Sequence, residues 1–236
     1  MRFYVLFFVL IYFHYNGETQ QAVTYNDSIN GDVLDKRYRE DHFYFSVNYN
    51  LLNHMPKDMS QNGFSIGLSL GYIRDIPLND NRNFGLGLGI GFTTNSINQN
   101  LKISKTNDDI MYDIIDSEDF SKNKLSAQVI ELPFELRWRT STPSEYKFWR
   151  VYAGFKLGYV VAANSKFKGG GDQVSISNLK SELNEWQYGL TLSAGYNTWN
   201  VNFYYGLNTF FDENVQINGQ KNKTRLVKIG LIFYLL

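Results

Sequence analysis

Eight segments of the chain alternate large apolar residues with Gly, Ser, Asn or Thr, and almost none of them carries a surface charge. Residues 64–72 and 84–92 are the clearest cases, because in both of them every second residue is apolar and the others are serine or glycine. Successive side chains of a strand point to opposite faces, so this period places the apolar residues on one face. The pattern predicts an all-β fold, an eight-stranded antiparallel transmembrane β-barrel whose outer face meets lipid.

The predicted strands are about 10–15 residues long, the length that a tilted membrane strand requires. They cover about 42–52, 62–73, 83–95, 124–139, 149–163, 184–197, 199–210 and 224–235. The connections 74–82, 140–148 and 197–199 are short, whereas 96–123, 164–183 and 211–223 are longer and polar. Outer-membrane barrels have short periplasmic turns and long extracellular loops. We therefore expect the N-terminus and the short turns in the periplasm and the long loops outside the cell.

The N-terminal residues have a different character from the barrel segments. Met1-Arg2 is followed by the apolar run Phe3–Phe13, which is too short for a membrane-spanning helix of about 20 residues. This predicts a secretory signal peptide over residues 1–21, with an N-terminal membrane anchor as the alternative. Residues 22–41 are polar and aperiodic, and we expect a periplasmic lead-in there, with the barrel covering 42–236.

Composition excludes several classes of protein. The 23 basic and 23 acidic residues balance, so we expect no nucleic-acid partner. The absence of cysteine rules out a disulfide framework, a thiolate nucleophile and a lipidated cysteine. A soluble eight-stranded barrel of the lipocalin type is the competing architecture, but its outer face would be rich in Lys, Glu and Arg. Segments 62–73 and 199–210 contain no charged residue.

Aromatic residues are placed beside the short turns. Rings at strand ends are typical of the girdle that an outer-membrane barrel forms in the headgroup region. The predicted periplasmic girdle comprises Tyr72, Phe84, Trp138, Trp149 and Trp199.

Several charged residues have inward parity on the predicted strands. The interior of an eight-stranded barrel is only wide enough for side chains, and buried charges need partners. We therefore expect a salt-bridge network in the lumen, either a structural plug or a charged path for a small solute. Its predicted members are Glu131, Glu135, Arg137, Arg139, Arg150, Lys156 and Lys228.

Pro133 lies inside the fourth predicted strand, also with inward parity. Proline removes a ladder hydrogen bond and is usually found at a sheet edge or a bulge. Because a closed barrel has no edge, we expect a bulge near Glu131–Pro133.

The sequence offers little support for catalysis. His54, Asp58 and Ser60 could mimic a hydrolase triad, but one short polar loop contains all three. Gly169-Gly170-Gly171 is expected to be a flexible loop. We expect no catalytic, cofactor or metal site. Acidic residues also crowd 96–123 without the spacing of a calcium loop, and they are Asp108, Asp109, Asp113, Asp116, Glu118 and Asp119.

Two neighbouring segments carry a resemblance to a known family. They read ELPFELRWR at 131–139 and YKFWRVYAGFKLGY at 146–159, and the first strand and the glycine-rich third strand add to the likeness. Over residues 38–236 the chain resembles the PorT-like outer-membrane β-barrel proteins of the Bacteroidota. The resemblance implies a link to the type IX secretion system.

The sequence thus predicts a non-enzymatic integral barrel of a Gram-negative outer membrane, acting as a structural or interaction component. The alternative is a surface-binding barrel that recognises a ligand or a neighbour through loops 96–123 and 164–183. Expected partners are outer-membrane lipid and lipopolysaccharide and, through the resemblance, components of type IX secretion.

Overall fold

The computed structural model describes residues 42–107, 109–140 and 148–235. The predicted signal peptide, 1–21, and lead-in, 22–41, lie outside the described residues. One short 3₁₀-helix covers Lys180–Glu182, and no helix of the described residues is long and apolar enough to cross a bilayer. The strands are β1 (His42–Asn53), β2 (Ile66–Pro77), β3 (Phe84–Asn98), β4 (Leu101–Thr106), β5 (Asp109–Ile114), β6 (Phe120–Arg139), β7 (Trp149–Gly169), β8 (Asp172–Ser177), β9 (Trp186–Tyr196), β10 (Trp199–Gly206), β11 (Gln216–Ile217), β12 (Gln220–Lys221) and β13 (Arg225–Leu235).

Eight of these strands close into an antiparallel barrel. Their order around the wall is β1, β2, β3, β6, β7, β9, β10 and β13. The first and last strands pair to close it, with Phe43 opposite Leu235 and Asn53 opposite Arg225. The predicted fold class is confirmed, and each of the eight predicted segments corresponds to one barrel strand.

Burial alternates along the barrel strands with the predicted parity. On β1, Phe43 is 62% exposed while Tyr44 is 3% exposed, and the alternation continues along the strand. The outer face of the wall is apolar and the inner face is largely polar, which is the reverse of a water-soluble domain. Such an outer face is stable only in contact with lipid.

The height of this apolar surface matches a membrane. At about 3.3 Å per residue and a tilt of about 40°, the segment of β7 from Trp149 to Tyr159 rises about 25 Å, the height of the lipid-facing band of such barrels. β6 and β7 continue well beyond this band, whereas β10 has only 8 residues.

The bulge expected near Glu131–Pro133 is displaced by two residues and lies on the neighbouring strand, β7. The register shift closest to the proline lies where Gln128 pairs with Ala162 and Val129 with Val160, so Val161 is the extra residue. On either side of Pro133 the β3–β6 register is the same, and Pro133 itself pairs with Lys156 on β7. The proline therefore removes a donor from one ladder without adding a residue to the strand.

The predicted long loops contain much regular structure, which is a second correction. β4 pairs with β5, β7 pairs with β8, and β11 pairs with β12. Gly169 belongs to β7, and Gly170 and Gly171 form a tight hairpin turn rather than a flexible loop. Both have positive φ, 56° and 84°, which glycine adopts without strain and which suits a two-residue turn.

Candidate functional site

The two ends of the barrel differ. The short-turn end is the one at which β2 connects to β3 and β9 connects to β10. At the opposite end the strand extensions and hairpins enclose an apolar cluster, here named the cap. Its buried members are Leu52, Met59, Ile97, Leu101, Ile103, Leu125, Ala127, Val129, Val160, Ala163, Ile176, Leu179, Leu183, Phe210, Phe211, Val215, Ile217 and Leu226.

A charged cluster fills the lumen near the short-turn end. Arg137 Nε lies 3.1 Å from Glu135 Oε2, and Arg137 Nη1 lies 3.3 Å from Asp75 Oδ1. Arg139 Nη2 contacts the other oxygen of Asp75 at 2.8 Å. Asp75 thus joins two arginines of β6 to β2 across the sheet. This cluster contains three predicted residues, Glu135, Arg137 and Arg139.

Asp75 is not among the predicted lumen residues, because the second strand was expected to end at residue 73. The strand continues to Pro77, and Asp75 shares the inward parity of Ser69 and Ile73. Extending the alternation by one further pair of residues would have found it.

A second charged cluster lies farther toward the cap. Glu131 accepts contacts from two lysines, with Lys156 Nζ 3.0 Å from Oε2 and Lys228 Nζ 3.2 Å from Oε1. The three residues come from β6, β7 and β13, so the cluster connects strands on different sides of the lumen. Lys228 also lies over the ring of Tyr204, 5.1 Å from its centroid.

Arg150 differs from the other predicted charges. It is buried, and no ion pair joins it to any carboxylate within the residues that the structure describes. Its guanidinium lies 4.5 Å from the ring centroid of Phe148 and 5.6 Å from that of Tyr234. Tyr234 and Tyr152 also flank Arg137, so aromatic rings separate the arginines at this end.

Amides and hydroxyls line the lumen beside the charged clusters. Asn202 Nδ2 donates to Asn48 Oδ1 at 3.0 Å, and Asn48 Nδ2 donates to Ser46 Oγ at 3.0 Å. Thr93 Oγ1 donates to Ser69 Oγ at 2.7 Å. Neutral polar groups therefore fill the middle of the barrel, as expected for a lumen only as wide as its side chains.

The cap closes the other end of the lumen. Leu125, Ala127 and Val129 point inward from β6 and pack against the loop residues of the cap. Polar contacts between the segments that surround the cap hold these segments together. Tyr112 on β5 donates to Glu182, and burial together with this hydrogen bond raises the pKa of Tyr112 above its ordinary value. The lumen thus ends in a packed apolar layer rather than an opening.

The aromatic residues predicted beside the short turns all lie on the outer face at that end. Phe84 pairs with Trp138, and Tyr196 pairs with both Trp149 and Trp199. Tyr72 packs on Phe43 with 5.3 Å between ring centroids. A second set toward the cap was not predicted as a belt, although its residues had outward parity. It contains the ring pairs Tyr159–Trp186 and Tyr49–Phe64.

The structure does not assemble the residues that could mimic a triad. Ser60 Oγ donates to Asn62 Oδ1 at 3.2 Å, and within the described residues no hydrogen bond joins the His54 side chain to Asp58 or Ser60. Asp109 and Asp113 lie on the β4–β5 hairpin, and Asp108 lies outside the described residues. No group of three or more metal-ligating side chains is found within the described parts of the chain.

A closed eight-stranded barrel with a lipid-facing wall and a filled lumen is the architecture of small outer-membrane barrel proteins. The chain belongs to the family of outer membrane protein beta-barrel domains, whose pattern matches residues 19–212. This membership places the protein in the outer membrane.

Comparison with solved structures gives a more distant likeness. The chain is similar to Ail, the attachment invasion locus protein of Yersinia pestis, whose structure was solved in complex with the heparin analogue sucrose octasulfate. The match has 13% sequence identity and a TM-score of 0.33, and it covers 83% of this chain and 99% of that chain. Comparison with curated proteins finds no match.

Proposed function

We propose that the protein is a non-enzymatic interaction barrel. It contacts its partners through the outer surface of the strand extensions and hairpins that enclose the cap. The observation that carries this proposal is that the polar segments 96–123 and 164–183 fold into paired strands held by an apolar cluster. A preformed surface loses little conformational entropy on binding, which favours recognition. The short turns face the periplasm and the cap faces the outside of the cell, and a signal peptide over residues 1–21 directs export.

The lumen network serves stability in this proposal rather than transport. Glu131 lies between two lysines, and Asp75 lies between two arginines, so the charges hold strands together across the lumen. The packed cap and the filled lumen leave no path for a solute of the kind that a porin conducts.

Site-specific photo-cross-linking in living cells tests the interaction surface. A photoreactive residue at Met111 on β5 is compared with one at Leu78 in a short turn, since both side chains are well exposed. We expect Met111 to give a reproducible adduct, identified by mass spectrometry, and Leu78 to give none. Adducts from Leu78 alone would contradict the proposal.

The PorT-like motifs support a second role, as a component of type IX secretion. The support is the sequence of 131–139 and 146–159, whose inward residues include Glu131, Glu135 and Lys156. Deleting the gene tests this role, with secretion of type IX cargo into the medium as the readout. We expect secretion to fall, and unchanged secretion would rule out a required role.

A further inference from the structure

Four lysines form a compact group on the tall side of the barrel, where β6 and β7 continue beyond the lipid-facing band. Lys122 pairs directly with Lys168, and Lys124 pairs directly with Lys166. All four lie on the same face of the two strands, because the residues between them, Asn123 and Phe167, are buried on the other face.

The rest of this face is neutral and polar. β3 and β8 flank β6 and β7, and their residues on this face also offer hydroxyls and amides. The face therefore presents four ammonium groups and a set of hydrogen-bonding groups with no carboxylate between them. Its neutral members are Ser96, Asn98, Ser126, Asn164, Gln173, Ser175 and Ser177. We name this surface, with the four lysines, the lysine wall.

Like charges directly opposite each other on neighbouring strands destabilise a sheet. The lysine wall contains two such pairs side by side, and no ion pair neutralises any of the four lysines within the described parts of the chain. Carboxylates do occur at the hairpin tip, where Glu118, Asp119 and Asp172 line a hollow with Lys168. An anion bound from outside the protein would offset the repulsion between the lysines that lie away from these carboxylates.

The direction and the height of the lysine wall indicate where that anion lies. Lys122 and Lys124 continue the parity of Ile130 and Leu132, so they point sideways out of the barrel, in the same direction as the lipid-facing side chains. At the rise per residue of a tilted strand, Lys124 and Lys122 stand about 15 and 20 Å above Ile130. The wall therefore faces the polar layer outside the hydrocarbon of the adjacent leaflet, about 15–20 Å beyond the edge of the lipid-facing band.

We propose that the lysine wall binds the phosphorylated sugars of the lipopolysaccharide that surrounds the barrel. The proposal rests on the outward orientation of the cap proposed above. Phosphate groups carry the negative charge that would pair with the lysine ammonium groups. Sugar hydroxyls can form hydrogen bonds with the serine, asparagine and glutamine side chains around them. A lipopolysaccharide molecule reaches this surface from the side, as the geometry requires, while its acyl chains contact the apolar wall below.

The test measures lipopolysaccharide binding by the refolded barrel in detergent and in lipid vesicles. The variant Lys122→Gln/Lys124→Gln/Lys166→Gln removes three charges from the lysine wall. We expect it to bind lipopolysaccharide with a phosphorylated core about 10- to 100-fold more weakly than the unchanged protein. We also expect the binding of the unchanged protein to weaken as salt is raised.

A matched variant removes the same charge elsewhere. Lys57→Gln/Lys221→Gln/Lys223→Gln changes three exposed lysines outside the lysine wall, and we expect it to bind like the unchanged protein. Heat-dependent migration on a gel verifies that every variant is folded. Equal losses in both triple variants would mean that only net charge matters and would overturn the proposal.

Two further arms identify the ligand chemistry. With lipopolysaccharide whose core has been chemically dephosphorylated, the wall variant and the unchanged protein should bind equally well. A persistent difference in affinity would overturn the role of phosphate. A soluble phosphorylated core oligosaccharide should bind more weakly than the membrane-anchored form, and equal binding would overturn the lateral approach. Vesicles that contain lipopolysaccharide expose it on both faces. The result therefore depends neither on the orientation of the barrel in the cell nor on the outcome of the cross-linking at Met111.

Discussion

Glu131 is a lumen carboxylate shared by two lysines, the buried Lys228 and the largely buried Lys156. Glu131→Gln would leave Lys156 and Lys228 buried beside each other without a counter-charge. Breaking a buried ion pair by removing one partner costs about 3–5 kcal/mol. We expect the free energy of unfolding to fall by this order in urea titrations of the barrel in lipid vesicles.

The control for this prediction is Glu118→Gln, which removes the same charge from an exposed position. Exposed substitutions of this kind change stability by about 0.5 kcal/mol or less. Adding Lys156→Met and Lys228→Met to Glu131→Gln should restore much of the loss. A Glu131→Gln barrel as stable as the unchanged protein would show that the cluster does not hold the strands together.

The residues of the lumen could be chosen from the sequence, but their partners could not. Parity alone assigns Glu135, Arg137 and Lys156 to the interior, because a strand has a fixed period. Parity does not specify the stagger between strands, which decides that Arg137 contacts Asp75 and that Lys228 contacts Glu131. Arg150 has the same parity and yet packs on rings, which only the three-dimensional arrangement reveals.

At the scale of the elements, the glycines of β3 make room for a large ring from β1. Gly91 pairs with Gly71, and both lie beneath Tyr44. A Cβ added at Gly91 would overlap the Tyr44 hydroxyl, and Gly71 lies against the same ring, so the ring has no nearby space to occupy. We expect Gly91→Ala to lower the free energy of unfolding by about 1–3 kcal/mol in the same urea titrations.

A double-mutant cycle checks this explanation. In a Tyr44→Ala background the added methyl group meets no ring, so Gly91→Ala should cost much less there. An equal cost in both backgrounds would mean that the backbone of β2, rather than Tyr44, sets the requirement for glycine.

The elements themselves divide into those that the sequence predicts and those that it does not. The eight barrel strands follow from alternation because lipid and lumen select opposite residue types. The hairpins β4–β5 and β7–β8 stand outside the bilayer, where no lipid imposes that contrast. Their apolar residues, such as Ile103 and Ile176, are part of the cap instead. Because these residues stand among polar neighbours in the sequence, their alternation is too weak to predict a strand.

At the scale of the whole molecule, the barrel has a filled lumen closed by the cap. Apolar constrictions exclude water and ions, and the lumen below them is occupied by side chains. We expect the protein to give no stable conductance steps in planar bilayers bathed in concentrated KCl. A general porin inserted under the same conditions provides the positive control, and reproducible steps from this barrel would contradict a sealed lumen.

The unequal strand lengths give the molecule a front and a back within the plane of the membrane. β6 and β7 have 20 and 21 residues, whereas β10 has 8. A uniform cylinder offers every neighbour the same contact, whatever its rotation about the membrane normal. This barrel does not, so its rotation determines which neighbour meets the tall side. Its lateral packing is therefore directional, and we expect pairs or rows of barrels in a common orientation rather than patches without order.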